Sequence, residues 1–368
     1  MLKYRRMEFI RQPATVAADG LIYVSGTVAQ DGSGTIVARG DVVAQTRRTI
    51  EIIRDMLTEA GSSLDRVVAA TVYLTSAANF QEMNAVWSTF WPDAPPTRTT
   101  IVSDLVRRDA LVEISMVAVP AGAERTIVHP ARWSQSPSPY SYAIRTGDTL
   151  FLSGLVSRNG RDNSVVGGDV STQTRVIMDN AGELLDAAGM THANVVSARV
   201  YLTDAATFGE MNAVYRPYFR SNPPARATVR TALAGSEYAV EITMIASSAD
   251  CQAISSGPSN PNLSAAIRAG NRLYLSGMLG NTPDDAGDAA AQTRATLSHV
   301  RDALEAARFT PTDIVEGLVY VTDVGHFQAV DEICRGFFGS SRPARTTVSA
   351  GLFAEGAVVE MMFTAFRR

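Results

Sequence analysis

Arginine and glutamate recur three times at one spacing in this sequence, as Arg98 and Glu113, Arg226 and Glu241, and Arg345 and Glu360, each pair 15 residues apart. The arginines stand in PPTRTT, PPARAT and RPARTT, and the glutamates in VEIS, VEIT and VEMM. Two chemistries suit such a pair. One is a structural ion pair, repeated because its domain was repeated. The other is a guanidinium fork open to a ligand carboxylate, with a glutamate that handles a water or a proton. A symmetric hairpin joining the two would turn at Leu105-Val106, Leu233-Ala234 and Leu352-Phe353 and set the side chains nearly opposite each other.

Other polar residues recur with them. Ser25, Ser153 and Ser276 each end an early apolar stretch before a glycine. A serine nucleophile needs an activating base, and neither histidine nor lysine occurs at a repeated position, so strand termination or ligand hydrogen bonding is the expected role. Asn84 and Asn212 fall on an otherwise apolar helical stripe, with Asp331 at the third position. A buried amide must find partners, so it either ties down a loop or lines a pocket. Lys3 is the only lysine, which disfavours Schiff-base and Ser/Lys chemistry. His129, His192, His299 and His326 are scattered without metal-ligand spacing, so no metal site is expected. Cys251 and Cys334 provide neither a disulfide framework nor a zinc set, and Cys334 reads as a small core hydrophobe.

The elements that must position these groups are also triplicated. LIYVSG, LFLSG and LYLSG recur, followed by Gln45-Thr46-Arg47, Gln173-Thr174-Arg175 and Gln292-Thr293-Arg294. Tyr73-Leu74-Thr75, Tyr201-Leu202-Thr203 and Tyr320-Val321-Thr322 come next. From the glutamine onward the first two copies are offset by 128 and the last two by 119, so length changes are confined to the loop before the first helix. A unit of about 120 residues is a whole domain rather than a solenoid repeat. Three domains are expected, at 1–122, 123–249 and 250–368.

Within a copy, Ile50, Ile53, Leu57 and Ala60 share one face at helical spacing, as do Met178, Ala181, Leu185, Ala188 and Leu297, Val300, Leu304, Ala307. Gly61 and Gly189 stand where a left-handed cap is expected, and Arg308 stands there in the third copy. VVAATVYLT reads as a strand, and Phe80, Met83, Trp87 and Trp91 mark a second helix. The order strand, strand, helix, strand, helix, strand, strand predicts an α+β domain with both helices on one face of a mixed sheet. In the last strand, Val112, Ile114 and Met116 point under the helices, while Leu111, Glu113, Ser115 and Val117 share the opposite face. In the later copies that open face carries Ala239, Glu241, Thr243 and Ile245, then Glu360, Met362 and Thr364. Faces this apolar should bury one another around a pseudo-threefold axis, giving a trimer within one chain.

Composition narrows the function classes. With 46% hydrophobic and 19% charged residues and a net charge of −4, the chain reads as a soluble globular protein with no affinity for nucleic acid. No apolar run is long enough to cross a bilayer and the N-terminal stretch lacks a signal-peptide core, so no membrane association and a cytoplasmic location are expected.

The set SG, QTR, YLT, FxxMN, PAR and VEI, present in all three units, resembles the Rid family of reactive-intermediate deaminases, also called the RidA, YjgF or L-PSP family. The resemblance implies three tandem chorismate-mutase-like domains, each a mixed sheet with two helices on one face, closed as an intramolecular pseudo-trimer with ligand sites between the repeats. It implies hydrolysis of small carboxylate-bearing enamines or imines to the keto acid and ammonia, with no metal and no cofactor. By position, Arg98, Arg226 and Arg345 would hold the substrate carboxylate and Glu113, Glu241 and Glu360 the attacking water. Ser25, Ser153, Ser276, Asn84 and Asn212 match substrate-binding positions, and Asp331 departs from the asparagine. The family's cysteine is replaced by Thr100, Thr228 and Thr347. Its tyrosine survives only as Tyr140, with Gln12 and Leu263 at the other two positions. The second copy keeps the fullest set (Tyr140, Ser153, Asn212, Arg226, Glu241), so the most competent cleft is expected to draw on it. The alternative is a non-catalytic binder of small carboxylates, or a relative specialised for a dedicated catabolic or biosynthetic step. Either way the chain would work as its own trimer, alone or further self-associated.

Overall fold

In the computed structural model, which describes residues 4–6, 13–219, 222–256 and 260–367, each repeat folds as the α+β unit expected. Among these residues the helices are α1 (Val42–Glu59), α2 (Phe80–Phe90), α3 (Val170–Ala187), α4 (Phe208–Tyr215), α5 (Ala289–Ala306) and α6 (Phe327–Phe338). Asp41, Asp169 and Asp288 cap α1, α3 and α5, accepting from Ala44 N at 2.9 Å, Thr172 N at 2.7 Å, and both Ala290 N and Ala291 N at 2.9 Å. The chain leaves these helices through left-handed residues, Gly61 at φ 81°, Gly189 at φ 72° and Arg308 at φ 63°. The predicted apolar faces of α1, α3 and α5 lie in the three helix-side cores.

The sheet of the first copy runs, in spatial order, Tyr4–Arg6, Pro13–Ala18, Leu21–Val28, Val112–Ala118, Val67–Leu74, Thr97–Val102. The other two repeat this order of six strands, and Met278–Leu279 adds a short extra pairing in the third. This corrects the hairpin expected of the arginine and glutamate strands. Thr97–Val102 returns from α2 parallel to Val67–Leu74, with Arg98 beside Ala70. Val112–Ala118 instead inserts antiparallel on the other side of Val67–Leu74, with Glu113 beside Tyr73. A helical crossover makes the flanking strands parallel neighbours, so the arginine strand becomes the sheet edge and its own glutamate lies a strand away. Leu111 and Ala239, just ahead of their strands, pack on the helix-side cores rather than on the open face.

The repeated glutamine welds helix to sheet. Gln45 Nε2 donates to Asp109 O at 2.8 Å and its Oε1 accepts from Leu111 N at 2.7 Å. Gln173 does the same with Glu237 O and Ala239 N, and Gln292 with Gly356 O and Val358 N. Both ends of a buried amide are thereby satisfied, and the strand carrying the glutamate is set against the first helix.

The open faces bury one another as predicted. One cluster joins Tyr73, Ile101, Tyr201, Val229, Tyr320 and Val348 from the three copies. Edge strands meet cyclically: Val102 N donates to Ala232 O at 3.0 Å, Arg230 N to Gly351 O at 2.7 Å, and Ser349 N to Asp104 O at 3.1 Å. Each seam thus covers an edge that would otherwise stand open to pairing with another chain. On the axis, a chamber of about 60 Å³ is lined by Thr71, Arg199 and Leu318 at equivalent positions, and by Glu316. No helix among the described residues is long and apolar enough to cross a membrane.

Candidate functional site

Crossing the seams brings each arginine to the next copy's glutamate, because the edge strand that carries the arginine is the one that meets the neighbour. Arg98 N donates to Ser153 Oγ at 2.9 Å, Arg226 N to Ser276 Oγ at 2.8 Å, and Arg345 N to Ser25 Oγ at 3.1 Å. Each serine hydroxyl donates in turn to a carbonyl 12 residues upstream, at Ser141, Ser264 and Pro13. Its proton is committed inside the protein, so the serines pin the arginine strand to the neighbouring copy. The glycine that follows each serine leaves room for a carboxyl: a Cβ on Gly154, Gly277 or Gly26 would fall on Oε1 of Glu241, Glu360 or Glu113.

The seams are therefore three composite sites. The first holds Asn84, Arg98 and Thr100 against Tyr140, Ser153 and Glu241. The second holds Asn212, Arg226 and Thr228 against Leu263, Ser276 and Glu360. The third holds Asp331, Arg345 and Thr347 against Ser25 and Glu113; Gln12 lies outside the described residues. The set that the second copy carries is divided between two seams, Tyr140, Ser153 and Glu241 in the first and Asn212 and Arg226 in the second. It is the first seam that combines tyrosine, asparagine, arginine and glutamate.

In that first seam the Arg98 guanidinium is 5.1 Å from the Trp87 ring centroid, 5.8 Å from Phe80 and 5.9 Å from Tyr140. Its Nη2 donates to Asn84 Oδ1 at 2.6 Å, and its Nη1 is buried without a partner. Asn84 Nδ2 reaches Ser138 Oγ at 3.4 Å, in the segment that carries Tyr140. Burial lowers the Arg98 pKa to about 10, which leaves it cationic at neutral pH. Burial lifts Glu241 to about 8, against the opposing pull of a Thr100 backbone N–H and of Arg98 itself. Among the described residues this buried guanidinium has no acid in salt-bridge contact, and the carboxyl it faces is pushed above neutrality by burial.

The second seam repeats this with one ring near the guanidinium in place of three. Arg226 lies 4.8 Å from the Tyr215 ring, which takes the place of Trp87. Arg226 Nε and Nη1, Asn212 Oδ1 and Thr228 Oγ1 are buried without partners. Glu360 is lifted by burial to about 8. A cavity of about 790 Å³ borders this seam, lined among others by Pro223, Leu263, Ser276, Gly277 and His299. In the third seam Arg345 is paired through Nη2 with Asp331, whose other oxygen takes Arg335. Cys334 stands there in place of the aromatic ring and is fully buried. Glu113 is again lifted by burial to about 8. Sequence reasoning read Trp87 only as a core residue and passed over Tyr215; the available signal was their position three residues after the asparagine, on the stripe that also bears it.

These are three similar modules closed into a ring, and the candidate residues of each seam are drawn from two of them. The chain matches the family described as Endoribonuclease L-PSP at residues 12–120, 133–248 and 255–367. A RutC family protein of Sulfurisphaera tokodaii is 41% identical over 109 residues, covering 30% of this chain and 87% of the relative. A YjgF/YER057c/UK114 family member from Mycobacterium tuberculosis is 33% identical, covering 32% of this chain and all of that one, with a TM-score of 0.30. Over the whole ring, a chorismatase structure aligns with 93% of this chain and 99% of its own at a TM-score of 0.54, a likeness of fold at 14% identity. The chain belongs to the YjgF/L-PSP (Rid) family, as three tandem copies.

Proposed function

We propose that the protein hydrolyses a small carboxylate-bearing enamine or imine to the keto acid and ammonia, and that the Arg98–Glu241 seam does most of this work. One observation carries the reading: Arg98 is buried with one guanidinium nitrogen unpartnered, and the carboxyl it faces across the seam, Glu241, is itself buried and pushed up to about 8 by that burial. A ligand carboxylate satisfies the guanidinium and is oriented by it. Protonation of an enamine at its β-carbon by the Glu241 carboxyl gives the iminium and a glutamate anion. That anion takes a proton from water as the oxygen attacks the iminium carbon. The Glu241 carboxyl then protonates the carbinolamine nitrogen and takes back the hydroxyl proton as the C=O bond forms and the C–N bond breaks, which releases ammonia and restores the acid. A net charge of −4 weighs against RNA as the substrate.

The test uses 2-aminoacrylate generated in situ, with pyruvate release as the readout. Wild-type protein should accelerate it, and Arg98→Ala should lose roughly 100-fold or more, at 1.36 kcal/mol per decade of rate. Equal rates with and without the protein would refute the assignment for that substrate. Ligand stabilisation without turnover would make the chain a carboxylate binder.

A further inference from the structure

The three seams share one backbone plan but differ in the group that supports the arginine. Asn84 Oδ1 accepts from Arg98 Nη2, and Asp331 Oδ1 accepts from Arg345 Nη2 through the same pair of atoms. Asparagine and aspartate are nearly the same size, so the difference at this position is one of charge. Orphaned polar atoms follow that difference. Arg98 Nη1 and Thr100 Oγ1 in the first seam, and Arg226 Nε, Arg226 Nη1, Asn212 Oδ1 and Thr228 Oγ1 in the second, are buried without partners. Among the described residues no side-chain atom of Arg345, Asp331 or Thr347 belongs to that set, and Asp331 is one of the partners that Arg345 finds. Buried unpaired donors call for a guest, and seams that have them are built for one.

We infer that Asp331 withdraws the third seam from anion capture, so that one chain takes two small carboxylates, at Arg98 and Arg226, and not three. The inference rests on the reading that these arginines receive the substrate's carboxylate. In the first two seams the arginine is the uncompensated charge, since Asn84 and Asn212 are neutral and burial keeps Glu241 and Glu360 protonated. In the third, Asp331 is 2% exposed and returns one negative charge to the arginine. A guest carboxylate there would lie beside a buried carboxylate, where like charges repel strongly. Neither nearby cation reverses this. The Arg335 side chain is 43% exposed and screened by water, and Arg107, whose charge acts on Glu113, is tied to Gln30 and the Gly34 carbonyl. Cys334 stands where the other seams place Trp87 and Tyr215 beside the guanidinium, so no ring occupies that position. A homotrimer could not make one seam differ from the others; a fused chain can.

The test uses 2-oxobutanoate, a keto acid of the product class that the proposed reaction leaves unchanged. Ligand occupancy is refined at each seam in soaked crystals, and affinity at the first seam is followed through Trp87 fluorescence. Wild-type protein should hold 2-oxobutanoate beside Arg98 and Arg226 only. Asp331→Asn should add a third ligand beside Arg345. The reciprocal Asn84→Asp should weaken the first seam at least about tenfold, with both variants keeping the wild-type melting temperature within a few degrees. Full occupancy at Arg345 in the wild type would overturn the inference. So would an empty Arg345 seam in Asp331→Asn while Arg98 and Arg226 are filled. An absence of ligand at all three seams of the wild type would instead overturn the carboxylate-capture reading beneath it.

Discussion

Glu113, Glu241 and Glu360 are each raised by burial to about 8, and this single shift governs two pH dependences. The proposed proton donation needs Glu241 in its acid form, so turnover should fall as pH rises through about 8; Glu241→Gln should abolish turnover, with a pH–rate profile as the check. Stability has the same sign. In the native state these groups keep their protons up to about 8, while in the unfolded chain they lose them near the ordinary glutamate value of about 4.3. Between those limits the native state binds more protons than the unfolded state, so stability declines with rising pH. Urea midpoints measured at about pH 5.5 and pH 8 should differ in that direction, and Glu→Gln substitutions should flatten the slope. The arginines, glutamates and their spacing were readable from the chain. Their partners were not, because the carboxyl facing each arginine comes from a strand more than a hundred residues distant.

At the level of elements, the third copy carries an avoidable strain. Arg308 holds φ 63° where Gly61 and Gly189 serve the other helices, and its side chain is exposed. A left-handed non-glycine residue costs about 1–2 kcal/mol, partly offset by the flexibility that glycine adds to the unfolded chain. Arg308→Gly should therefore stabilise the protein by about 0.5–1 kcal/mol, read as a higher melting temperature. The QTR glutamine lies outside the seams and acts on the elements. Gln173→Ala would strand the Glu237 carbonyl and the Ala239 N–H. A loss of about 1–3 kcal/mol is expected by urea titration. Helices, caps and the alternating last strand were legible because each is written in local periodicity. The hairpin expectation failed because sequence adjacency says nothing about which strand inserts between two others.

At the scale of the whole molecule, the axis shows what fusion permits. Thr71, Arg199 and Leu318 occupy one symmetry position, and Ala69, Ser197 and Glu316 another, all around the same chamber. A homotrimer would gather three copies of each charged residue there, whereas the fused chain sets one Arg199 near one Glu316. Glu316 is raised by burial and drawn back down by Arg199. Arg199→Leu should leave Glu316 uncompensated and cost on the order of a few kcal/mol, and Arg199→Leu/Glu316→Leu should recover most of it. Chemical denaturation of the two variants checks this, and equal losses would show the two side chains to be uncoupled.

By itself, the sequence determined the triplication, the α+β unit, the closure into a ring and the residue types at the sites, because hydrophobic period and repeated spacing are local records of burial. Only the tertiary structure decided which arginine meets which glutamate, that the serines serve the seams, and that Asp331 pairs with Arg345. Those facts depend on edge strands meeting across module boundaries, a geometry that chain order does not encode.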